Sequence, residues 1–298
     1  MRSLVLLAFV GLVAQLVDGS LGMAYGVTSS SLLLAVGMAP AASSAAVHFS
    51  EIGTTLVSGA AHHKFGNVDW RTVGILALPG GVGAFAGATF LSSIDGEAAA
   101  PWVALLLTSL GAYVLYRFLR LGGRRPQFTS HPSAWFLTPM GLVAGVVDAI
   151  GGGGWGPVGT TSLLSSGRLE PRKVVGSIDT SEFVVAIGAS AGFLVGLGSQ
   201  GINVAWVLAL LAGGVVAAPV AAWVVRHLAA RVLGVAAGGF IVLTNVKTML
   251  ESWFGLAETS PTLWAVVATL TLLWVSLVAN AVLAERASRR REVVTEAV

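Results

Sequence analysis

Asp18, His48, Glu51, Asp148, Asp179 and Glu182 stand inside otherwise apolar stretches of this chain. A charged side chain at bilayer depth costs at least about 2.5 kcal/mol on insertion scales, so each must face a cavity, find a partner or take up a proton. Asp18 and Asp148 each precede a cluster of small residues. They suit either direct coupling to transport or capping, in which a carboxylate accepts the free backbone N–H groups of the half-helix that follows. Glu51 and Glu182 fall about one third of the way into their helices, with His48 and Asp179 one turn earlier on the same face. A pair of this kind can carry a proton, because low-dielectric surroundings make proton uptake by a carboxylate easier. A fixed interhelical hydrogen bond is the structural alternative.

These positions recur because the sequence is duplicated. GLVAQLVDGSLGMAYGVTSSSLLL, from Gly11 to Leu34, matches GLVAGVVDAIGGGGWGPVGTTSLL, from Gly141 to Leu164. The match continues through Pro40 and Pro171, Ser50-Glu51 and Ser181-Glu182, and the similar Asn67–Trp70 and Asn203–Trp206. Each copy starts apolar, breaks at an aspartate and small residues, then resumes as a short apolar stretch. A duplicated break of this kind is where inverted-repeat transporters place their substrate. Gly152 and Gly153 in one break, and Gly22 and Tyr25 in the other, belong to segments where backbone can approach backbone or ligand. Half-helices starting there would aim N–H groups and a positive dipole end at an anion. Thr28, Ser29 and Thr160 add hydroxyl donors, and Trp155, inside the break, is expected to line the cavity. Close helix packing through small residues would use the same composition.

The elements that hold these residues must be membrane helices. A hydrophobic fraction of 55%, a charged fraction of 10% and a mean hydropathy of +0.83 lie outside the balance of a soluble domain, which carries about a quarter charged residues. Seven stretches reach the length of about 20 apolar residues that a bilayer requires: 42–62, 71–91, 98–118, 174–198, 203–225, 231–250 and 262–284. Segments 4–36 and 135–167 are longer but interrupted, and irregular backbone at membrane depth is tolerated only when enclosed by protein or lining a wet cavity. If both turn back, every basic loop falls on the cytoplasmic side, which places the N-terminus outside and the C-terminus inside. The expected fold is an all-α polytopic membrane protein of inverted repeats, with two broken re-entrant helix pairs and about seven full transmembrane helices. The repeats are 4–118 and 135–250, joined by a cytoplasmic linker at 119–134, with an additional helix at 262–284. Lys247 lies close to Glu251 and is expected to snorkel to the surface.

The absence of cysteine removes disulfides and thiolate chemistry. His62-His63 lacks further ligands, and no H-E-x-x-H occurs, so neither metal, cofactor nor enzymatic activity is expected. A net charge of +3 spread over short loops speaks for membrane orientation and against nucleic acid.

VDGSLGMAYGVTSSSLLL with HFSEIGTTLVSGAAHHKFGN, and DAIGGGGWGPVGTTSLL with GSIDTSEF, resemble the sulfite exporter TauE/SafE family of membrane permeases. The resemblance spans about residues 8–284. It implies a permease for small sulfur-containing anions, with the two broken segments, Glu51 and Glu182 as the central site. No buried arginine is evident to pair with a sulfonate. The expected function is a secondary transporter carrying a small anion, sulfite or a short organosulfonate, across the cytoplasmic membrane in proton-coupled export. Its partners are the anion, protons and the lipid bilayer, and a homo-oligomer is compatible with the pattern. The alternative is a cation permease or channel that uses the intramembrane carboxylates; a sensor or assembly subunit is a third class.

Overall fold

The computed structural model describes residues 2–21, 25–120, 131–166, 168–169, 171–198, 202–224, 230–257 and 259–296. Among these the regular structure is all helical: α1 (Arg2–Leu21), α2 (Tyr25–Ala35), α3 (Pro40–Lys64), α4 (Trp70–Ser92), α5 (Gly96–Arg120), α6 (Ala134–Gly151), α7 (Thr161–Ser166), α8 (Pro171–Leu197), α9 (Val204–Val224), α10 (Ala230–Phe254) and α11 (Pro261–Glu296). A single π-helical turn, Gly156–Thr160, leads into α7. Gly22, and most of the linker expected at 119–134, lie outside the described residues.

Local chemistry sets the boundaries. Pro40, Pro171 and Pro261 open α3, α8 and α11, where the missing N–H is no loss. Asp69 caps α4 by accepting from the Thr72 N–H at 2.8 Å. α6 ends where Gly152 adopts φ +66, a left-handed conformation that a side chain would strain.

Five described stretches are long and apolar enough to cross a bilayer: Trp70–Ser92, Ala98–Arg120, Ala134–Gly151, Lys173–Leu197 and Pro261–Ala287. The 25-residue α3 has the length but a different composition. Its Ser43, Ser44, His48, Ser50, Glu51, Thr54 and Thr55 are all buried, so this helix turns a polar stripe inward.

Contacts between helices fix their directions. Along α4 and α6, Gly83 meets Leu142 and Gly87 meets Val146, so the two run parallel. Along α4 and α8, the pairs Asn67–Gly176, Gly81–Val184 and Phe85–Gly192 rise together, so α8 is parallel to α4 as well. With α6 and α8 pointing the same way, the segment between them has to turn back, and the second broken segment is a re-entrant hairpin. α3 opposes α8, pairing His62 with Asp179 and His48 with Phe193. α5 opposes α10, pairing Trp102 with Trp253, Thr108 with Met249 and Leu119 with Arg231. α3 and α8, and likewise α5 and α10, are the matching helices of the two sequence repeats, and each pair points in opposite directions. α11 runs back along α10, with Trp274 donating to the Ala236 carbonyl and Ala281 clustering with Val235.

Close approach comes from small residues. Gly188, Gly192 and Gly196, spaced four apart on α8, lie on the Gly81 carbonyl, on Phe85 and Ala88, and on Ser92 of α4. α1 packs along α9 and α6 along α4, so each half lends its first helix to the other.

The breaks follow Leu21 and Gly151, near the middle of segments 4–36 and 135–167, but the limbs they separate are unequal. α1 has 20 residues and α6 has 18, about 30 and 27 Å at 1.5 Å per residue, while α2 has only 11. The first limb of each broken segment is thus nearly a full span and the second limb is short.

Candidate functional site

The two breaks touch through their backbones. A Cβ on Gly26 would lie 2.6 Å from Gly153 Cα and also clash with the Gly152 carbonyl, and a Cβ on Gly153 would lie 2.6 Å from Gly26 Cα. Only glycine on both sides permits this crossing. Ser30 fastens it by donating to the Gly152 carbonyl at 3.1 Å, and Ser44 donates to the Ala149 carbonyl at 2.6 Å.

Both aspartates cap the limb that follows, with the same spacing. Asp18 Oδ1 accepts from the Tyr25 N–H, seven residues on, at 3.2 Å. Asp148 Oδ1 accepts from the Gly154 N–H at 2.6 Å and from the Trp155 N–H, also seven residues on, at 2.9 Å. The capping alternative is therefore realised for each, and it satisfies N–H groups that would otherwise be orphaned at the break. Asp148 does more, because its Oδ2 lies 3.0 Å from His48 Nε2.

Beside the crossing is a small polar cavity lined by Gln15, Asp18, Tyr25, Glu51, Thr54, Thr55, Ser58, Asp179 and Glu182. It has a volume of about 10 Å³, the room of roughly one water, so the side chains as they stand leave no space for an anion. Neither Lys nor Arg is among its lining residues. Glu51 is 1% exposed, and neither of its carboxylate oxygens has a hydrogen-bond partner among the described residues. Its Oε2 lies 4.0 Å from His48 Nε2, within ion-pair reach. Asp179 Oδ2 is 3.8 Å from His62 Nε2, too long for a hydrogen bond. Thr55 and Ser50 spend their hydroxyl protons on the backbone of their own helix, at the Glu51 and Val47 carbonyls, and Tyr25 Oη meets Ser50 Oγ at 3.1 Å.

Of the residues singled out in the sequence, Asp18, Tyr25, Glu51, Asp179 and Glu182 converge on this cavity. His48 and Asp148 form a pair that adjoins it through Glu51. Gly152 and Gly153 make the crossing, while Thr28 and Ser29 are buried in the first turn of α2, with Thr28 Oγ1 unpartnered among the described residues. Two residues are placed elsewhere. Trp155 is fully buried in the apolar core and is not among the cavity-lining residues; its ring lies against Gly80 and Val185, and its Nε1 donates to the Ile178 carbonyl at 3.0 Å. An indole whose one polar atom is satisfied gains more from burial than from water. Thr160 is buried within the π-helical turn. Lys247 pairs with Glu251 at 2.6 Å at the end of α10, away from the cavity.

Sequence reading passed over Gln15, Thr54, Thr55 and Ser58. Helical spacing carried the signal, since Gln15 is one turn before Asp18, and the other three follow Glu51 at three, four and seven residues.

The directions of the helices also sort charge. The ends of α3, α5 and α11 and the starts of α4, α8 and α10 lie at one end of the bundle, and they carry Lys64, Arg71, Arg117, Arg120, Lys173, Arg231 and Arg286.

Residues 7–248 match the family model described as sulfite exporter TauE/SafE. The chain is similar to the "Probable membrane transporter protein YtnM" of Bacillus subtilis (strain 168), with 49% identity over 283 residues, which cover 93% of this chain and 92% of that protein. No solved structure matches.

Proposed function

The chain belongs to the sulfite exporter TauE/SafE family of membrane transporters, and we propose that it moves a small anion, sulfite or a short organosulfonate, out of the cytoplasm together with protons. The observation that carries this reading is the crossing of the two breaks beside Glu51, whose buried carboxyl oxygens face a polar cavity without hydrogen-bond partners among the described residues.

The lining of the cavity supports the coupling. An anion entering among Asp18, Glu51, Asp179 and Glu182 meets like charge, worth about 4 kcal/mol for each ionised neighbour at 4 Å and an effective dielectric of 20. Protonation of those carboxyls removes the repulsion and turns each into a hydrogen-bond donor to an oxyanion. Anion and proton thus occupy the chamber together, the sum of their gradients sets the direction, and export requires an outward anion gradient that exceeds the opposing proton gradient. The re-entrant hairpins supply the moving part: rocking of one half against the other opens the closed chamber to each side in turn. The basic end of the bundle is assigned to the cytoplasm, with the C-terminus inside and the N-terminus outside.

The test is flux of sulfite and short alkanesulfonates into proteoliposomes under an imposed pH gradient. Wild-type protein gives saturable flux that follows the gradient, and Glu51→Gln with Glu182→Gln abolishes that dependence. Anion flux indifferent to both substitutions removes the coupling role. A lining whose charged side chains are all carboxylates also favours a second reading, a cation permease, and cation currents without saturable anion flux would establish it in place of the first.

A further inference from the structure

The His48–Asp148 contact contains a proton that neither the capping of the break nor the cavity uses. His48 is 0% exposed, and the donors and acceptors around its ring can be assigned one by one. Ser44 Oγ donates its only proton to the Ala149 carbonyl at 2.6 Å. Nδ1 of His48 faces the Ser44 carbonyl at 2.8 Å and the Ser44 hydroxyl oxygen at 3.3 Å. A carbonyl only accepts, and that hydroxyl has no proton left to give, so Nδ1 carries a hydrogen. Nε2 in turn faces Asp148 Oδ2 at 3.0 Å. A neutral ring with its hydrogen on Nδ1 would set the Nε2 lone pair against a carboxylate oxygen, two acceptors in contact at 0–1% side-chain exposure. One more proton must lie between Nε2 and Oδ2.

The surroundings of this proton are defined on every side. Glu51 approaches from α3 at 4.0 Å, and Asp148 comes from α6. α8 presents the Phe193 ring, 6.0 Å from the imidazole. Asp18, Asp179 and Glu182 reach the same cavity as Glu51. The matching position in the other repeat is not equivalent: His48 corresponds to Asp179, so the repeat supplies a base here and a second acid there.

We propose that the proton held between His48 Nε2 and Asp148 Oδ2 is a coupling proton, passed to and from the Glu51 carboxylate in the cavity. This rests on the proton-coupled reading given above. The step is a simple exchange. The shared proton moves to a Glu51 oxygen, giving the neutral acid, and leaves behind His48 with hydrogen on Nδ1 alone and an ionised Asp148. Nε2 and Oδ2 then repel, which frees Asp148, the residue that caps Gly154 and Trp155 in the second hairpin. Return of the proton restores the clasp. Occupancy of the cavity is thereby linked to the grip on one re-entrant hairpin.

His48→Gln and Asp148→Asn each keep an amide that can bridge the two positions but hold no exchangeable proton there. Both are compared with wild type in proteoliposomes, using radiolabelled sulfite in two assays: counterflow at equal pH, and uphill accumulation driven by a pH gradient. A one-proton carrier accumulates substrate about tenfold per pH unit, since one unit is about 1.4 kcal/mol per proton. The proposal expects accumulation to fall further than counterflow in both variants, with the accumulation ratio falling to one wherever exchange is still measured. Accumulation retained by either variant overturns it. If neither variant exchanges substrate, the wild-type protein decides by ¹⁵N-histidine NMR: one of its five histidines must keep hydrogen on Nδ1 while Nε2 changes state on saturation with sulfite. No responding histidine overturns the proposal. Wild-type counterflow without any gradient-driven accumulation defeats the proton-coupled reading itself, whatever the variants do.

Discussion

Gly153→Ala probes the crossing of the two breaks most directly. The added Cβ would stand 2.6 Å from Gly26 Cα and closer still to the Gly26 carbonyl carbon and the Val27 nitrogen, where ordinary contact begins at 3.4 Å. All three neighbours are backbone, so no rotamer change relieves the overlap. The hairpins must part by about an ångström, and overpacking of this kind costs about 1–3 kcal/mol, with the upper part of that range expected here. Gly26→Ala meets the same surface from the other side, so the double variant should cost less than the sum of the two, because one separation relieves both clashes. Gly74→Ala is the control. Nothing lies within 4 Å of its Cβ, and Ala is about 1 kcal/mol better than Gly in a helix interior. Thermal unfolding in detergent reads the stability, and proteoliposome flux reads the site. The expected order of Tm is Gly74→Ala at or above wild type, with both break variants clearly below it and defective in flux. A Gly153→Ala protein that unfolds with wild-type Tm, or strictly additive losses in the double variant, would refute direct backbone contact between the hairpins.

Trp155→Phe removes the donor to the Ile178 carbonyl and part of a fully buried ring, while Ser181 still satisfies that carbonyl, so a loss of about 1–3 kcal/mol is expected. Unchanged thermal unfolding would contradict its place in the core. Asp69 lies outside the spans, at the start of α4. Burial pushes its carboxyl up, but the Thr72 hydrogen bonds and the nearby His131 and Lys173 outweigh burial and hold it below its ordinary 3.8. Its folded value is depressed, so its contribution is fully present above the unfolded value and is lost as pH falls through the folded one. Asp69→Asn should therefore flatten the acid limb of a Tm-against-pH curve below about pH 4, and an identical limb in the variant would argue against the cap.

Much of this arrangement was legible because the chain repeats itself. Asp18 with Asp148 and Glu51 with Glu182 stand at matching places in two copies, and matched polar pairs within apolar helices mark positions that a core alone would not demand. The charge of the loops anticipated the end of the bundle at which basic residues gather. Pairings across the halves were not legible. His48 and Asp148 are 100 residues apart, and nothing local to either indicates that α3 of one half meets the break of the other. The place of Trp155 was equally hidden, since an indole at a break can face a cavity or the core, and the Ile178 carbonyl decided it.

The returning limbs of the two hairpins are unlike in one respect. α2 is regular over its 11 residues, whereas Gly156–Ser166 opens with a wider-wound turn before tightening into α7. Two copies of one sequence pattern therefore hold two backbone shapes within a single molecule. Pro157, which stands where the first copy has Val27, has no backbone N–H to give, so the inverted symmetry of the repeats stops short of their hairpins.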